Sequence, residues 1–228
     1  MKAYFFRHRA WLWPLIAMGL ITPFTPALDM ALTHHAFESS QPPGFHSSPF
    51  ATFMYEYGLI PGQLLFITSG IMLFLSCFFK RWRRWYPASL ILVLTLAIGS
   101  GLITHGILKD HWGRPRPKQV IEFGGSQPFR PYYKPNFFTK PEPSKSFACG
   151  HCSMGFYFFA LALVGRRYNM QWLFISALAI ALALGVALSI ARIQQGGHFL
   201  SDTLASALIM WLTAYTCNYW IKDDERIN

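Results

Sequence analysis

The chain has 228 residues, of which 53% are hydrophobic and 13% are charged, and its net charge at pH 7 is +10. Soluble domains carry about 25% charged residues, so this composition argues against a soluble domain and is typical of an integral membrane protein. The positive charge forms no basic tail or block, which argues against nucleic acid as a partner.

Six apolar stretches are each long enough to cross a bilayer, which requires about 20 residues. They cover approximately residues 10–28, 57–79, 87–108, 147–165, 170–190 and 199–220. Prolines predict a kink in the first stretch, whose basic start and small residues near Ala27 also fit a signal peptide. Its length favours a retained span. The predicted fold class is all-α, a polytopic membrane bundle of about six transmembrane helices that forms one domain over 1–228.

Segment 29–56 is predicted to be a loop with a short interfacial helix.

Basic residues in the short connections predict the orientation of the protein in the membrane. With both termini cytoplasmic, eleven of the 20 Lys and Arg residues lie in inner segments, and eight others lie in the outer segment from Lys109 to Lys145. Three polar clusters, at 109–117, 149–151 and 192–202, then share the outer face. The presence of all three clusters on one face predicts that they form a single site.

The last cluster combines a cation, a glycine turn and a His–Asp pair. Gly196 and Gly197 permit a tight turn between Arg192 and His198. Asp202 follows His198 by four residues, so a helix would place the two on one face. A carboxylate beside an imidazole fixes its tautomer and stabilises the imidazolium, which suits a histidine nucleophile. The alternative is a structural pair that satisfies two buried polar groups.

His151 begins the fourth apolar stretch and follows Gly150. A helix N-terminus offers free N–H groups and a positive dipole end to a phosphate, and the glycine lets the backbone approach it closely. A histidine there is suited to protonate a leaving oxygen and then to activate water. Taken alone, a histidine at a helix start is more often structural.

The first cluster supplies three cations, Lys109, Arg114 and Arg116. Arginine binds phosphate oxygens in a bidentate manner, and such cations also stabilise the charge of phosphoryl transfer. A basic patch that grips anionic lipid headgroups is the alternative for these residues alone. The two histidines on the same face favour a catalytic site.

Together these residues resemble the PAP2 superfamily of type 2 phosphatidic acid phosphatases. Its pattern has three parts: Lys-x6-Arg-Pro, Pro-Ser-Gly-His and Ser-Arg-x5-His-x3-Asp. Lys109 with Arg116-Pro117 matches the first part, and the cluster from Arg192 to Asp202 matches the third. Three positions depart from the pattern, because Ala191 replaces the serine of the third part, and Ala148 and Cys149 replace the Pro-Ser of the second part.

The resemblance implies a metal-independent lipid phosphatase without a cofactor. It implies that His198 is the nucleophile that forms a phosphohistidine, that Asp202 supports it, and that His151 acts as acid and then as base. The implied phosphate-binding positions are Lys109, Arg116, Arg192, Gly150 and Cys149, with Arg114 as an additional substrate contact. A thiol is a weak donor, so Cys149 is expected to contribute mainly through its backbone, with activity retained or reduced.

Within the superfamily, segments 112–117 and 122–125 are most similar to bacterial phosphatases of lipid A and related envelope lipids. The partners implied are the bilayer and a phosphorylated lipid, and the site would face the periplasm from the inner membrane. Undecaprenyl diphosphate and phosphatidylglycerol phosphate are alternative substrates.

Two other classes of protein fit part of the sequence. Cys149-Gly-His-Cys152 is also the tetrapeptide of protein disulfide isomerases, which would make a membrane thiol oxidoreductase. That class requires a soluble βαβ context and leaves the cations unexplained. A lipid-binding or transport protein would explain the cations but not the His–Asp pair.

The other two cysteines, Cys77 and Cys217, lie in apolar stretches and are predicted to pack in the core.

Overall fold

The structure, a computed structural model, describes residues 10–39, 43–137 and 144–222. Within these ranges the protein is helical and has no β-strand, which agrees with the predicted all-α fold class. The described residues form nine α-helices: α1 (Leu12–Ile21), α2 (Thr25–Glu38), α3 (Pro49–Tyr57), α4 (Ile60–Phe78), α5 (Tyr86–Leu94), α6 (Gly150–Phe156), α7 (Phe158–Arg167), α8 (Gln171–Gln194) and α9 (Leu200–Trp220). A π-helix, Thr95–Lys109, continues α5 without a break.

Four helical segments in the described part of the chain are long and apolar enough to cross a membrane. They are Leu12–Glu38, Pro49–Phe78, Lys80–Lys109 and Gln171–Gln194. The other two predicted spans are helical as well, but α6 and α7 are short pieces separated at Tyr157. Helix α9 carries several buried hydroxyl groups and one buried carboxylate. The predicted count of six spans is therefore not confirmed.

The first span is longer than predicted. Prolines interrupt it only by a single 3₁₀ turn, Thr22–Phe24, and α2 then continues to Glu38. Proline is tolerated in the first turn of a helix, which is where Pro23 and Pro26 lie. The prediction of a loop from Asp29 is thus wrong up to Glu38, whereas the predicted short helix is present as α3.

The centre of the bundle lies around α6, α7 and the middle of α9. Its buried side chains include Phe156, Tyr157, Leu163 and Met210. The outer surface is also apolar: α4, for example, exposes Ile67, Ile71, Phe74 and Phe78 along its length. Large apolar surfaces outside a packed core are expected where lipid chains are the solvent.

Cys217 is buried as predicted, but Cys77 is exposed, so the prediction of core packing is wrong for Cys77.

Two glycines bring α6 and α8 into close contact. A Cβ on Gly155 would lie 2.6 Å from the backbone nitrogen of Gly185, and a Cβ on Gly185 would lie 2.3 Å from the Phe156 ring. Small residues allow helix backbones to approach one another in this way. The contact fixes the short helix α6, and with it the residues at its N-terminus, against α8.

The predicted cytoplasmic termini, residues 1–9 and 223–228, lie outside the described residues.

The ends of α6 and α9 that carry the second and third sequence clusters lie side by side. Ser206 donates hydrogen bonds to the carbonyls of Cys149 (3.0 Å) and Asp202 (2.9 Å), and the Cys149 amide donates to the Asp202 carbonyl (3.5 Å). The fold thus joins two clusters that are about 50 residues apart in sequence.

Candidate active site

The Asp202 carboxylate is completely buried in the first turn of α9 and accepts hydrogen bonds from three elements of the fold. Its Oδ2 accepts from the Phe199 amide (2.9 Å) and from the Ser146 hydroxyl (2.6 Å). Its Oδ1 accepts from Arg114 Nη1. Charge-assisted bonds of this kind are about twice as strong as neutral ones, and they fix the position of the carboxylate.

Arg114 is completely buried and bridges two carboxylates. Nη2 donates to Asp29 Oδ2 at 2.8 Å, Nη1 donates to Ser201 Oγ at 2.8 Å and to Asp202, and Nε donates to the Arg130 carbonyl at 2.8 Å. The expectation that Arg114 contacts substrate is therefore corrected. Its guanidinium is enclosed by protein, and its role is to hold Asp202.

Asp29 completes this group of buried charges from the first span. Its carboxylate accepts from the Ser201 amide (2.8 Å) and hydroxyl (2.6 Å) in addition to Arg114. Two carboxylates around one guanidinium make a buried group in which each charge has an opposite neighbour, as such groups require. The first span is thus tied directly to the third sequence cluster.

His198 lies at the end of the glycine turn and is 1% exposed. Gly196 has φ +60°, a left-handed conformation that glycine adopts without strain, and the Gly197 amide donates to the Arg192 carbonyl at 2.9 Å. Nδ1 of His198 lies 3.6 Å from Asp202 Oδ2, beyond hydrogen-bond distance but close enough for electrostatic stabilisation. This geometry leaves Nε2 as the nitrogen that does not face the carboxylate.

Burial lowers the pKa of His198 below its ordinary value of 6.5. The neighbouring Arg192 and Arg116 charges lower it further, while Asp202 opposes the shift. A buried imidazole is favoured in its neutral form because the charged form loses hydration. His198 is therefore in the protonation state that a nucleophile needs at neutral pH.

Three predicted phosphate-binding cations lie close enough to one another to interact electrostatically. Lys109 experiences the charges of Arg116 and Arg192, and Arg192 experiences that of Arg116. Among the described residues, the buried Nε atoms of both arginines have no hydrogen-bond partner. Like charges held together with unused donors repel one another, and an anion between them would relieve that repulsion.

Arg192 is positioned by the end of α8 and the glycine turn. Nη1 donates to Gln195 Oε1 at 2.6 Å, and a Cβ on Gly197 would lie 2.4 Å from Nη2. The absence of a side chain at residue 197 thus makes room for the guanidinium. The residue before it, Ala191, where the family pattern has serine, is buried against Ala51 and Met54 of α3.

Cys149 caps the N-terminus of α6 through its sulfur, which accepts from the Cys152 amide at 3.1 Å. The same sulfur forms a disulfide with Cys152, and both residues are completely buried. The expectation of a phosphate contact is therefore corrected for the Cys149 side chain. The burial of both sulfurs also argues against thiol exchange with a second protein, as the oxidoreductase class would require.

His151 follows Gly150 at the start of α6 and is half-buried. It interacts electrostatically with Arg192, His198 and Lys109. Its ring stacks on Tyr55 of α3, with 4.9 Å between ring centroids and an angle of 13°. The structure thus brings together His151, His198, Lys109, Arg116 and Arg192, as the three clusters predict.

A third histidine, His105, also lies at this site and was not predicted from the sequence. The His105 ring packs on Gly150, where a Cβ would lie 2.4 Å from His105 Nε2. His105 Nδ1 is 2.7 Å from the Ser100 carbonyl and donates a hydrogen bond to it. The π-helix creates this contact, because it pairs residues five apart rather than four.

Three other residues were missed, with unequal sequence signals. Asp29 is an acidic residue just after an apolar stretch, which is a recognisable sign of a functional or paired charge. Ser146 and Tyr55 gave no signal, since hydroxyl and aromatic residues are common near membrane interfaces.

A family model of the PAP2 superfamily matches residues 88–226, which is more than half of the chain and includes all three clusters. The chain belongs to the PAP2 superfamily. The lipid A 4'-phosphatase of Francisella tularensis subsp. novicida (strain U112) is 31% identical over 215 residues, covering 88% of this chain and 92% of the relative.

A second PAP2 relative, the lipid A 4'-phosphatase of Rhizobium leguminosarum, is 31% identical over 120 residues. This match covers 53% of the present chain and 47% of the relative. No solved structure matches the chain significantly. The family, the relatives and the apolar helices together support a membrane lipid phosphatase.

Proposed function

We propose that this membrane lipid phosphatase removes a phosphate monoester from lipid A or a closely similar envelope lipid, through a phosphohistidine on His198. The observation that carries the proposal is the arrangement around His198. A carboxylate fixed by three donors lies on its Nδ1 side. Two arginines lie nearby, and their Nε donors have no partner in the part of the chain that the structure describes. Such an arrangement suits a nucleophile that attacks a bound dianion.

In the first step, Nε2 of neutral His198 attacks phosphorus and the bond from phosphorus to the ester oxygen breaks. His151 takes up a proton when the bound phosphate dianion offsets the charges of Arg192 and Lys109, which otherwise disfavour its charged form. It gives this proton to the ester oxygen, and the lipid leaves as an alcohol. Asp202 stabilises the positive charge that develops on His198. Lys109, Arg116 and the α6 N-terminus stabilise the charge on the transferring phosphoryl group.

In the second step, neutral His151 takes a proton from water while the water oxygen attacks phosphorus. The phosphorus–nitrogen bond breaks and its electron pair returns to His198. Inorganic phosphate is released, and His151 is protonated again for the next cycle. The net reaction consumes one water for each phosphate released.

The choice of lipid A is supported by the matched relatives, whose names specify the 4' phosphate. We extend that position to the present chain as part of the proposal. The distribution of basic residues supports a site on the periplasmic face, since the short segments on the other side hold most of the Lys and Arg residues.

A substrate panel tests the proposal directly. Purified protein in detergent, with EDTA present, is given lipid A, undecaprenyl diphosphate, phosphatidylglycerol phosphate and phosphatidic acid, and phosphate release is measured. We expect lipid A to have the highest kcat/KM and to lose its 4' phosphate. A preference for another lipid would overturn the substrate, and full activity of His198→Ala would remove the nucleophile.

The thiol oxidoreductase class is separated by a double variant. Cys149→Ser with Cys152→Ser removes both sulfurs but restores a hydroxyl at the position where the family pattern has serine. We expect phosphatase activity to be preserved or raised. Loss of thiol exchange as the only change would favour the oxidoreductase.

Orientation is tested with single cysteines in a background that lacks Cys77. Lys118 and Arg83 are both exposed and lie on the predicted outer and inner sides. In intact spheroplasts, an impermeant maleimide should label Lys118→Cys and should label Arg83→Cys only after lysis. The reverse pattern would place the site in the cytoplasm.

A further inference from the structure

Tyr55 of α3 contacts two members of the candidate site at once. Its ring stacks nearly parallel on the His151 imidazole, with 4.9 Å between centroids. The Arg192 guanidinium carbon lies 5.1 Å from the centroid of the same ring. One side chain outside the three sequence clusters therefore touches both the proposed acid–base histidine and a proposed phosphate-binding arginine.

The helix that carries Tyr55 is attached firmly to the end of α8. Ser48 caps α3 by accepting from the Ala51 amide (3.1 Å), and its hydroxyl donates to Gln194 Oε1 (3.0 Å). Gln195, which also binds Arg192, donates to the Ala51 carbonyl at 3.3 Å. These hydrogen bonds fix the position and the orientation of α3 relative to Arg192.

The His151 imidazole needs such a support. It makes no hydrogen bond with another described residue, in contrast to the many bonds that hold Asp202. A general acid must keep its nitrogen directed at the leaving oxygen, and a misplacement of about 1 Å costs up to about a hundredfold in rate. The Tyr55 ring is 46% exposed and contacts both His151 and Arg192. Stacking against this ring restricts the imidazole without consuming either ring nitrogen.

We propose that Tyr55 is a positioning residue, which orients His151 by stacking and holds Arg192 by a cation–π contact. The aromatic ring supplies both contacts, so the hydroxyl is dispensable. The inference rests on the proposed phosphatase activity, and it predicts how activity depends on the leaving group.

A comparison of substrates isolates the contribution of His151. An alkyl phosphate such as a lipid needs a proton on its leaving oxygen, whereas p-nitrophenyl phosphate has a leaving group that departs without one. Loss of His151 orientation should therefore lower kcat/KM more for the lipid than for the aryl phosphate. Loss of the Arg192 contact, or a general structural defect, should lower both equally.

The variants are Tyr55→Leu, which removes the aromatic ring, and Tyr55→Phe, which keeps it. Tyr57→Leu is the matched control, because Tyr57 lies on the same helix, is 51% exposed and pairs with Phe53. We expect Tyr55→Leu to lower kcat/KM for the lipid by about tenfold, from the combined strength of one aromatic stack and one cation–π contact. Its effect on p-nitrophenyl phosphate should be smaller, and Tyr55→Phe and Tyr57→Leu should resemble the wild type.

Equal losses on both substrates, or a Tyr55→Phe variant as impaired as Tyr55→Leu, would overturn the proposal. So would a Tyr55→Leu variant indistinguishable from Tyr57→Leu. If the wild type released no phosphate from any substrate, the proposed function itself would fail. The geometry is then tested separately by NMR of labelled histidine, where the ring of Tyr55 should displace the His151 resonances in the wild type and Tyr55→Phe but not in Tyr55→Leu.

Discussion

The two sides of His198 are built in opposite ways. On the acidic side, Asp202, Arg114 and Asp29 are completely buried, and opposite charges alternate through short hydrogen bonds. On the cationic side, Arg116 and Arg192 lie near Lys109, with buried Nε donors that have no partner among the described residues. Among the described residues, the acidic side satisfies its charges by itself, whereas the cationic side keeps two arginine donors available to an anion.

The difference indicates what each side contributes. A buried network in which two carboxylates share one guanidinium stabilises one geometry, and removal of the guanidinium leaves buried charges uncompensated. A cluster of like charges costs stability and is retained where it binds something. We therefore expect mutations on the acidic side to affect folding first, and mutations on the cationic side to affect binding first.

The largest effect is expected for Arg114→Ala. The substitution leaves the carboxylates of Asp29 and Asp202 buried without their cation, which should cost about 3–5 kcal/mol of folding free energy. Thermal unfolding in detergent should show a markedly lower Tm. Lys118→Ala, an exposed cation in the same segment, should change the stability by less than about 0.5 kcal/mol. Equal Tm values for the two variants would contradict the structural role of Arg114.

The opposite behaviour is expected for Arg116→Ala. Removing its charge should weaken the binding of a phosphate analogue such as orthovanadate by about 10- to 150-fold, which corresponds to one hydrogen bond to a charged group. The Tm should stay the same or rise, because repulsion with Lys109 and Arg192 is relieved. Inhibition constants for Arg116→Ala and Lys118→Ala provide the measurement. A loss of stability without a loss of vanadate affinity would reverse the assignment of the two sides.

The sequence predicted the cationic side better than the acidic side. Lys109, Arg116, Arg192 and the two histidines are recognised by residue type and spacing, because phosphate chemistry restricts both. Arg114 has the same type and nearly the same position as Arg116, yet only the folded chain shows that its guanidinium points to Asp29. Whether an arginine faces a ligand or a buried carboxylate depends on packing that one sequence does not encode locally.

The same limit applies to the fold. The apolar stretches predict the helices, and the all-α class follows from them. The π-helix at Thr95–Lys109 and the extension of α2 to Glu38 were not predictable, because tertiary contacts decide them. His105 reaches Gly150 only because residues five apart pair in that helix.

A smaller effect is expected at Gly150, which lies at the N-terminus of α6 and packs against His105. In Gly150→Ala, the new methyl group would lie 2.4 Å from His105 Nε2, so the ring or α6 must move. Overpacking of this kind costs about 1–3 kcal/mol, and we expect kcat/KM to fall about tenfold. The exposed His105 ring is the part that gives way, so the double variant Gly150→Ala with His105→Ala should be more active than Gly150→Ala alone.

The outcome of this double variant distinguishes two reasons for a glycine at residue 150. Recovery assigns the defect to the clash with His105. Absence of recovery would mean that the methyl group blocks the approach of phosphate to the α6 N-terminus, and the contact with His105 would then be incidental. His105→Ala alone is the control, and it should show a smaller loss than Gly150→Ala.

The smallest effect is a displacement of the pH profile. His198 must be neutral to attack, and burial holds its pKa below 6.5, so activity should persist as the pH falls through 6.5 and decline only below it. Arg116 also lowers this pKa, so Arg116→Ala should move the acid limb of kcat/KM to higher pH. The second pKa of a phosphate monoester, about 6, contributes a limb of its own that is the same for every variant. A difference between the acid limbs of Arg116→Ala and Lys118→Ala is therefore caused by a group of the enzyme and not by the substrate. A shift of the Arg116→Ala limb to lower pH would contradict the placement of Arg116 beside the nucleophile.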